Sequence, residues 1–234
     1  MQPLHRRLIA VALFPAILNA CGTMPQPGTR LNEQQRADAQ KSCVNQYVIG
    51  GSIGGALLGM LVSSKEDRAQ GAVTGAVVGA ALAHSYAWGK CLAYYSDTNS
   101  FPVADAQQTA AAVGYSATRG DEVRIQSFTI SPSQVTPGGS FKLNGSYYVM
   151  SPDVHKEVKV VETRTVHYFD PKDSKWKELG SEATPLTAAL GSRRSEGQTS
   201  MPSEVAEGRY RVTFKVSALG REHQAAQEII IKKS

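Results

Sequence analysis

Beyond Cys91 the chain has no cysteine: Cys21, Cys43 and Cys91 are the three in a sequence of 234 residues. Whatever folds after that point must do so without disulfides. The histidines of that part, His155, His167 and His223, stand apart with no thiol near them, which argues against a zinc site. No Gly-Lys-Ser/Thr sequence closes a phosphate-binding loop. Asp170 and Asp173 are spaced like a carboxylate pair, but Asp170-Pro171-Lys172-Asp173 is turn-forming sequence. Ser192 and Ser195 flank Arg193 and Arg194 without a recognisable partner base. Catalysis is therefore not expected, nor a metal or other cofactor. Early in the chain, the apolar run Leu8–Leu18 is too short to read as a membrane span. A strong charge is missing too. The formal +5, less Arg6 and Arg7 of an expected leader, leaves +3, too little to point to nucleic acid.

What is present is a glycine period. Gly51, Gly55 and Gly59 recur every four residues, and after a polar break at Ser64–Gln70 so do Gly71, Gly75 and Gly79. Four-residue spacing keeps small residues on one helical face, where a second backbone can approach. Folding the stretch at Asp67 pairs residues whose numbers sum to 134: Gly59 with Gly75, Gly55 with Gly79, Cys43 with Cys91. One register thus lays glycine on glycine and thiol beside thiol. We expect an antiparallel helical hairpin over 43–95 with a Cys43–Cys91 disulfide, whose loop closure could stabilise by roughly 4 kcal/mol. Each helical glycine costs about 1 kcal/mol relative to alanine, so close packing, a cross-link or a membrane must compensate.

Residues 1–20 have the pattern of a secretory signal, with His5-Arg6-Arg7 ahead of the apolar run. Its end, Leu18-Asn19-Ala20-Cys21, resembles the lipobox of bacterial lipoproteins. That resemblance implies cleavage before Cys21 and acylation of its thiol, and Gly22 in place of aspartate implies the outer membrane. Lipidating Cys21 also leaves an even pair of cysteines, which require the oxidising compartment reached by export. Residues 21–42 read as a tether rich in Pro25, Pro27 and Gly28, followed by a helix-prone lead-in.

The apolar part of the first helix, Tyr47–Val62, measures about 24 Å at 1.5 Å per residue. It can enter a membrane by tilting or thinning the bilayer, or stay on the water side and hide its apolar face by packing. Residues 50–85 resemble the glycine-zipper domains of outer-membrane lipoproteins, the family that includes rickettsial-type surface antigens. That family is described as having two membrane-spanning segments; Gly51, Gly55, Gly59, Gly71, Gly75 and Gly79 are the expected helix-packing positions, and the zipper offers a surface for self-association. Trp88, Tyr94 and Tyr95 follow, as an interfacial aromatic belt or as hydrophobic caps on a soluble hairpin.

Residues 96–120 read as a linker. From Asp121 the period becomes two, first in Val123–Ile130, then in Phe141–Val149, Lys156–Phe169, Lys175–Leu179, more weakly in Ser192–Met201, and again in Gly208–Val216 and Gln224–Lys232. About seven strands with closely spaced turns indicate an antiparallel two-sheet sandwich over 121–234 that folds by itself. Trp176, Tyr147 and Phe214 are assigned to its core. Glu207-Gly208-Arg209-Tyr210-Arg211-Val212 resembles the tyrosine-corner approach to strand F of immunoglobulin-like and fibronectin-type folds. The fold class expected is therefore multi-domain, a glycine-zipper helical hairpin followed by an Ig-like β-sandwich.

These readings combine into a non-enzymatic outer-membrane lipoprotein. Lipid holds it through acylated Cys21, and residues 121–234 bind an envelope protein partner. The alternatives are an accessory or adhesion module of a secretion or surface assembly, and a glycine-zipper membrane-active toxin.

Overall fold

The computed structural model describes residues 31–62 and 71–233. The expected signal sequence, Cys21, the tether up to residue 30 and the polar turn 63–70 lie outside the described residues, as does the packing of Gly51, Gly55, Gly59, Gly71, Gly75 and Gly79.

Helix α1 spans Glu33–Val62 and α2 spans Gly71–Lys90. The lead-in and the first hairpin helix are thus one element. Asn32 starts it: its side chain accepts from Gln35 N at 2.8 Å while the Gln35 side chain accepts from Asn32 N at 3.0 Å, the reciprocal bonding of a capping box. The disulfide is formed, Cys43 to Cys91, with Cα atoms 5.9 Å apart. Next to it Tyr47 and Tyr86 meet edge to face at 6.4 Å, so the antiparallel register holds at this end of the hairpin. No helix among the described residues is long and apolar enough to cross a membrane.

A short α3, Leu92–Tyr95, turns directly into strand β1, Ser96–Asp105, and α4, Ala106–Val113, follows. Then come β2 Glu122–Ser131, β3 Gln134–Val135, β4 Ser140–Met150, β5 Glu157–Asp170, β6 Lys175–Ala189, β7 Gly191–Ser200, β8 Gly208–Ala218 and β9 Arg221–Ile231. They form one sheet in the order β1-β7-β4-β2 and another in the order β3-β9-β8-β5-β6, antiparallel except for β3 beside β9. One core lies between them. Phe128 of β2 stacks on Phe214 of β8 at 5.4 Å, and Tyr147 of β4 meets the same ring at 6.2 Å. The molecule is thus a helical N-terminal part followed by a mostly antiparallel β domain.

Two expectations change, and a third holds with an added detail. Residues 96–105, read as linker, are an edge strand paired with β7 from Ser96↔Thr199 to Asp105↔Gly191. The polar Ser96–Asn99 run and Pro102 hid it; an edge strand tolerates proline because one side of its backbone needs no partner. Ser192–Met201, the weakest strand in the sequence, is central, bonded to β1 and β4. Trp176 is not core: it lies half-buried on the outer face, while Tyr147 and Phe214 are buried as expected.

Candidate functional site

The sequence puts its chemistry in the hairpin, and the structure adds where the hairpin is held. Helix α2 meets the β domain through Ser85, Trp88 and Gly89, all buried. Trp88 is fully buried, donates from Nε1 to Ser200 O at 2.9 Å and packs edge-on against Tyr210 at 6.2 Å. Ser85 Oγ donates to Ala81 O at 3.0 Å, accepts from Ala206 N at 2.9 Å and lies 2.9 Å from Tyr210 Oη. Tyr210 Oη donates to Ala206 O at 2.7 Å. Burial pushes the Tyr210 hydroxyl well above its ordinary pKa, the Ser85 hydrogen bond acting the other way. Gly89 and Gly180 of β6 touch backbone to backbone. A Cβ on Gly180 would fall on the carbonyl of Gly89, and one on Gly89 would come within 2.6 Å of Leu179 Cβ. Trp88 is therefore a core residue and not part of an interfacial belt. Tyr95 is half-buried, and burial, with Glu204 nearby, raises its pKa to about 12.

A second cluster was not anticipated. On β5 the inward residues run Val158, Val160, Glu162, Arg164, Val166, Tyr168, so a carboxylate and a guanidinium occupy core positions, 1% and 2% exposed. Arg164 Nη2 reaches Glu162 Oε2 at 2.9 Å and Ser195 Oγ of β7 at 2.5 Å. Ser195 Oγ donates to Glu162 Oε2 at 2.6 Å, and Tyr147 Oη donates to Glu162 Oε1 at 2.8 Å. Burial, then the Glu162 charge, holds the Tyr147 hydroxyl protonated far above its ordinary range. Arg164 Nη1 and Glu182 Oε2 are buried without a hydrogen-bond partner. Burial raises the Glu182 carboxyl against the opposing pull of Arg164. Strict alternation from Val158 to Tyr168 was the available signal: it forces Glu162 and Arg164 inward once the strand's parity is set. The cluster links both sheets at buried positions, so it can fix their register.

A third arrangement faces outward on the five-stranded sheet. Phe169 of β5 and Trp176 of β6 meet edge to face at 5.2 Å. The Arg211 guanidinium lies 3.9 Å from the Trp176 ring centre, and that of Arg209 4.8 Å from the Phe169 ring centre. Glu228 of β9 bonds both, at 2.8 Å to Arg209 and 2.9 Å to Arg211, which holds its carboxyl below the usual range. One carboxylate for two guanidiniums leaves one excess positive charge on a fixed aromatic platform. Among the described residues no group of three or more histidine, cysteine or acidic side chains is arranged to hold a metal.

A family model described as a glycine zipper 2TM domain matches residues 46–87. No curated protein matches the chain. Among solved structures the chain is similar to an alkylpurine DNA glycosylase of Pseudomonas fluorescens, at 14% identity over 49% of this chain and 32% of that one, with a TM-score of 0.38. It is similar to a sporulation control protein of Bacillus subtilis at 12% identity over 49% and 50%, TM-score 0.32. A family 123 glycoside hydrolase from Clostridium perfringens gives 7% identity over 60% and 28%, TM-score 0.33. The chain spans half or less of each of these proteins, and at such scores the likenesses carry no argument.

Proposed function

We propose that this chain is a non-catalytic lipoprotein of the bacterial outer membrane, anchored by acylated Cys21, that fixes a glycine-zipper hairpin rigidly to an immunoglobulin-like domain. The single observation behind this reading is the junction of Ser85, Trp88, Gly89 and the Cys43–Cys91 bridge. A hairpin meant as a loose tether needs no tryptophan in the core and no covalent clamp on its first helix. One meant to set the position of a domain relative to the envelope needs both.

The strand order supports the immunoglobulin-like part. β2, β4 and β7 follow the A-B-E order of one sheet, and β9, β8, β5 and β6 the G-F-C-C′ order of the other. Tyr210 stands where the tyrosine corner of strand F belongs. The D position is filled by β1, which arrives from the hairpin side of the chain. The non-catalytic part rests on the enclosure of Glu162, Arg164, Ser195 and Tyr147, the most reactive grouping described.

The test is palmitate labelling with membrane fractionation. Wild-type protein should carry label and sediment with the outer membrane, and Cys21→Ser should carry none. Equal labelling of the variant would overturn the anchor. A second reading, an accessory or adhesion module of a surface assembly, is favoured by the outward Arg209–Arg211–Trp176–Phe169 platform. It requires the β domain to be cleaved by proteinase added to intact cells; an envelope protein facing the periplasm would be protected.

A further inference from the structure

We propose that Tyr47, Tyr86 and Lys90 form the contact between the root of the hairpin and the headgroup layer of a membrane containing anionic lipid. This rests on the envelope-anchored reading above. Other aromatics of the stem are spoken for: Trp88 is in the core and Tyr95 is half-buried against it. Tyr47 and Tyr86 are not. They pack on each other, Tyr47 is 38% exposed, and the Lys90 ammonium sits 5.1 Å from the centre of the Tyr86 ring. Lys90, one turn after Tyr86, is exposed on the same side of α2, while Ala87, Trp88 and Cys91 turn inward. Two tyrosines and a lysine at the foot of an apolar hairpin match the amphipathic chemistry of a bilayer surface, with apolar rings, polar hydroxyls and a cation to meet phosphate.

The occupant is argued from the chain itself. From Asn32 to Tyr47, α1 rises about 22 Å at 1.5 Å per residue. The eleven residues from Cys21 to Asn32 reach at most about 40 Å when extended. An acylated Cys21 can therefore lie in the same plane as Tyr47, with lipid anchor and hairpin root meeting one membrane face. Were that plane beyond the tether's reach, the two could not be engaged together.

The experiment separates this contact from the anchor by using the full mature chain with Cys21→Ser, which carries no acyl chain. Binding is measured by co-sedimentation with phosphatidylethanolamine/phosphatidylglycerol vesicles and with phosphatidylcholine vesicles. Tyr47→Ser with Tyr86→Ser should weaken binding to both by about tenfold. Lys90→Gln should weaken it about fivefold on the anionic vesicles alone. Lys90→Glu, an exposed change that leaves the stem packing in place, should weaken it further on the same vesicles. Near-UV circular dichroism and an intact disulfide check the fold. Unchanged binding in the lysine variants and the tyrosine variant would overturn the contact. So would hydrogen-exchange protection of Tyr47 and Tyr86 peptides in vesicle-free dimers, which would assign the surface to a second copy. Absence of palmitate label from the wild-type chain would defeat the anchor and leave this vesicle result standing.

Discussion

Strands β7 and β8 are both central in their sheets, and they solve the same problem with opposite chemistry. β8 turns Tyr210, Val212, Phe214, Val216 and Ala218 into the core. β7 turns in Arg193, Ser195 and Thr199. Each polar residue of β7 has a partner: Arg193 donates to Ser100 O at 3.2 Å, Ser195 to Glu162, and Thr199 Oγ1 lies 3.1 Å from Ser96 Oγ. Two of those three partners belong to β1. Hydrophobic alternation is therefore only one way to fill a central strand; the other needs partners delivered from elsewhere in the chain, and here the hairpin side delivers them.

The harshest way to break the comparison is to remove β1. A fragment of residues 121–234 lacks β1 and Trp88, leaving Arg193 and Thr199 unpaired and a gap beside Tyr210. Against the expectation from sequence that 121–234 folds by itself, it should give no cooperative thermal transition by circular dichroism, whereas a chain from residue 31 should melt sharply. A cooperative melt of the fragment would show that β7 does not depend on β1.

Single changes sharpen it. Arg164→Met leaves the Glu162 carboxylate buried without its cation and should cost about 3–5 kcal/mol in urea unfolding. Adding Glu162→Leu, Ser195→Ala and Tyr147→Phe should restore stability to near the parent, because the replacement then leaves neither a cluster charge nor the Tyr147 hydroxyl unpaired. On the β8 side Phe214→Ala should cost a similar ~3–5 kcal/mol, with no rescue by a second truncation. Rescue on both sides, or on neither, would erase the distinction.

Ser85→Ala should be milder, about 1–3 kcal/mol, since it strands the Ala206 N–H while Tyr210 keeps its bond to Ala206 O. Smallest is Glu182→Gln. The Glu182 carboxyl is raised by burial, so its contribution is fully present below the unfolded carboxylate pKa of about 4.3 and is lost as pH rises through the folded value. Glutamine removes that loss. The variant should melt higher than wild type at pH 7, with the gap closing towards pH 4; a gap that widens on acidification would reverse the sign.

Legibility in the sequence followed the same divide. The Cys43–Cys91 bridge could be read because two independent marks, the glycine period and the cysteine positions, gave the same sum. β8 could be read because apolar residues alternate without interruption from Tyr210 to Val216. β1 and β7 were obscure because polar side chains that find partners inside look, in one dimension, like side chains that face water. Trp88 was ambiguous for a related reason: a tryptophan after an apolar helix fits a membrane boundary and a core equally well until its neighbours are known.

Strand β1 also has a history in time. Its partner Thr199 lies 103 residues after Ser96, so in the exported chain of the reading above, entering the oxidising compartment N-terminus first, β1 arrives well before the strand it pairs with. Cys43 and Cys91 are only 48 residues apart and both precede it. In a chain folding from its first residues onward, the bridge can close while the β domain is still incomplete. The hairpin then serves as a finished template that waits for the last third of the chain, and closing the sheet becomes the long-range, slow event of folding.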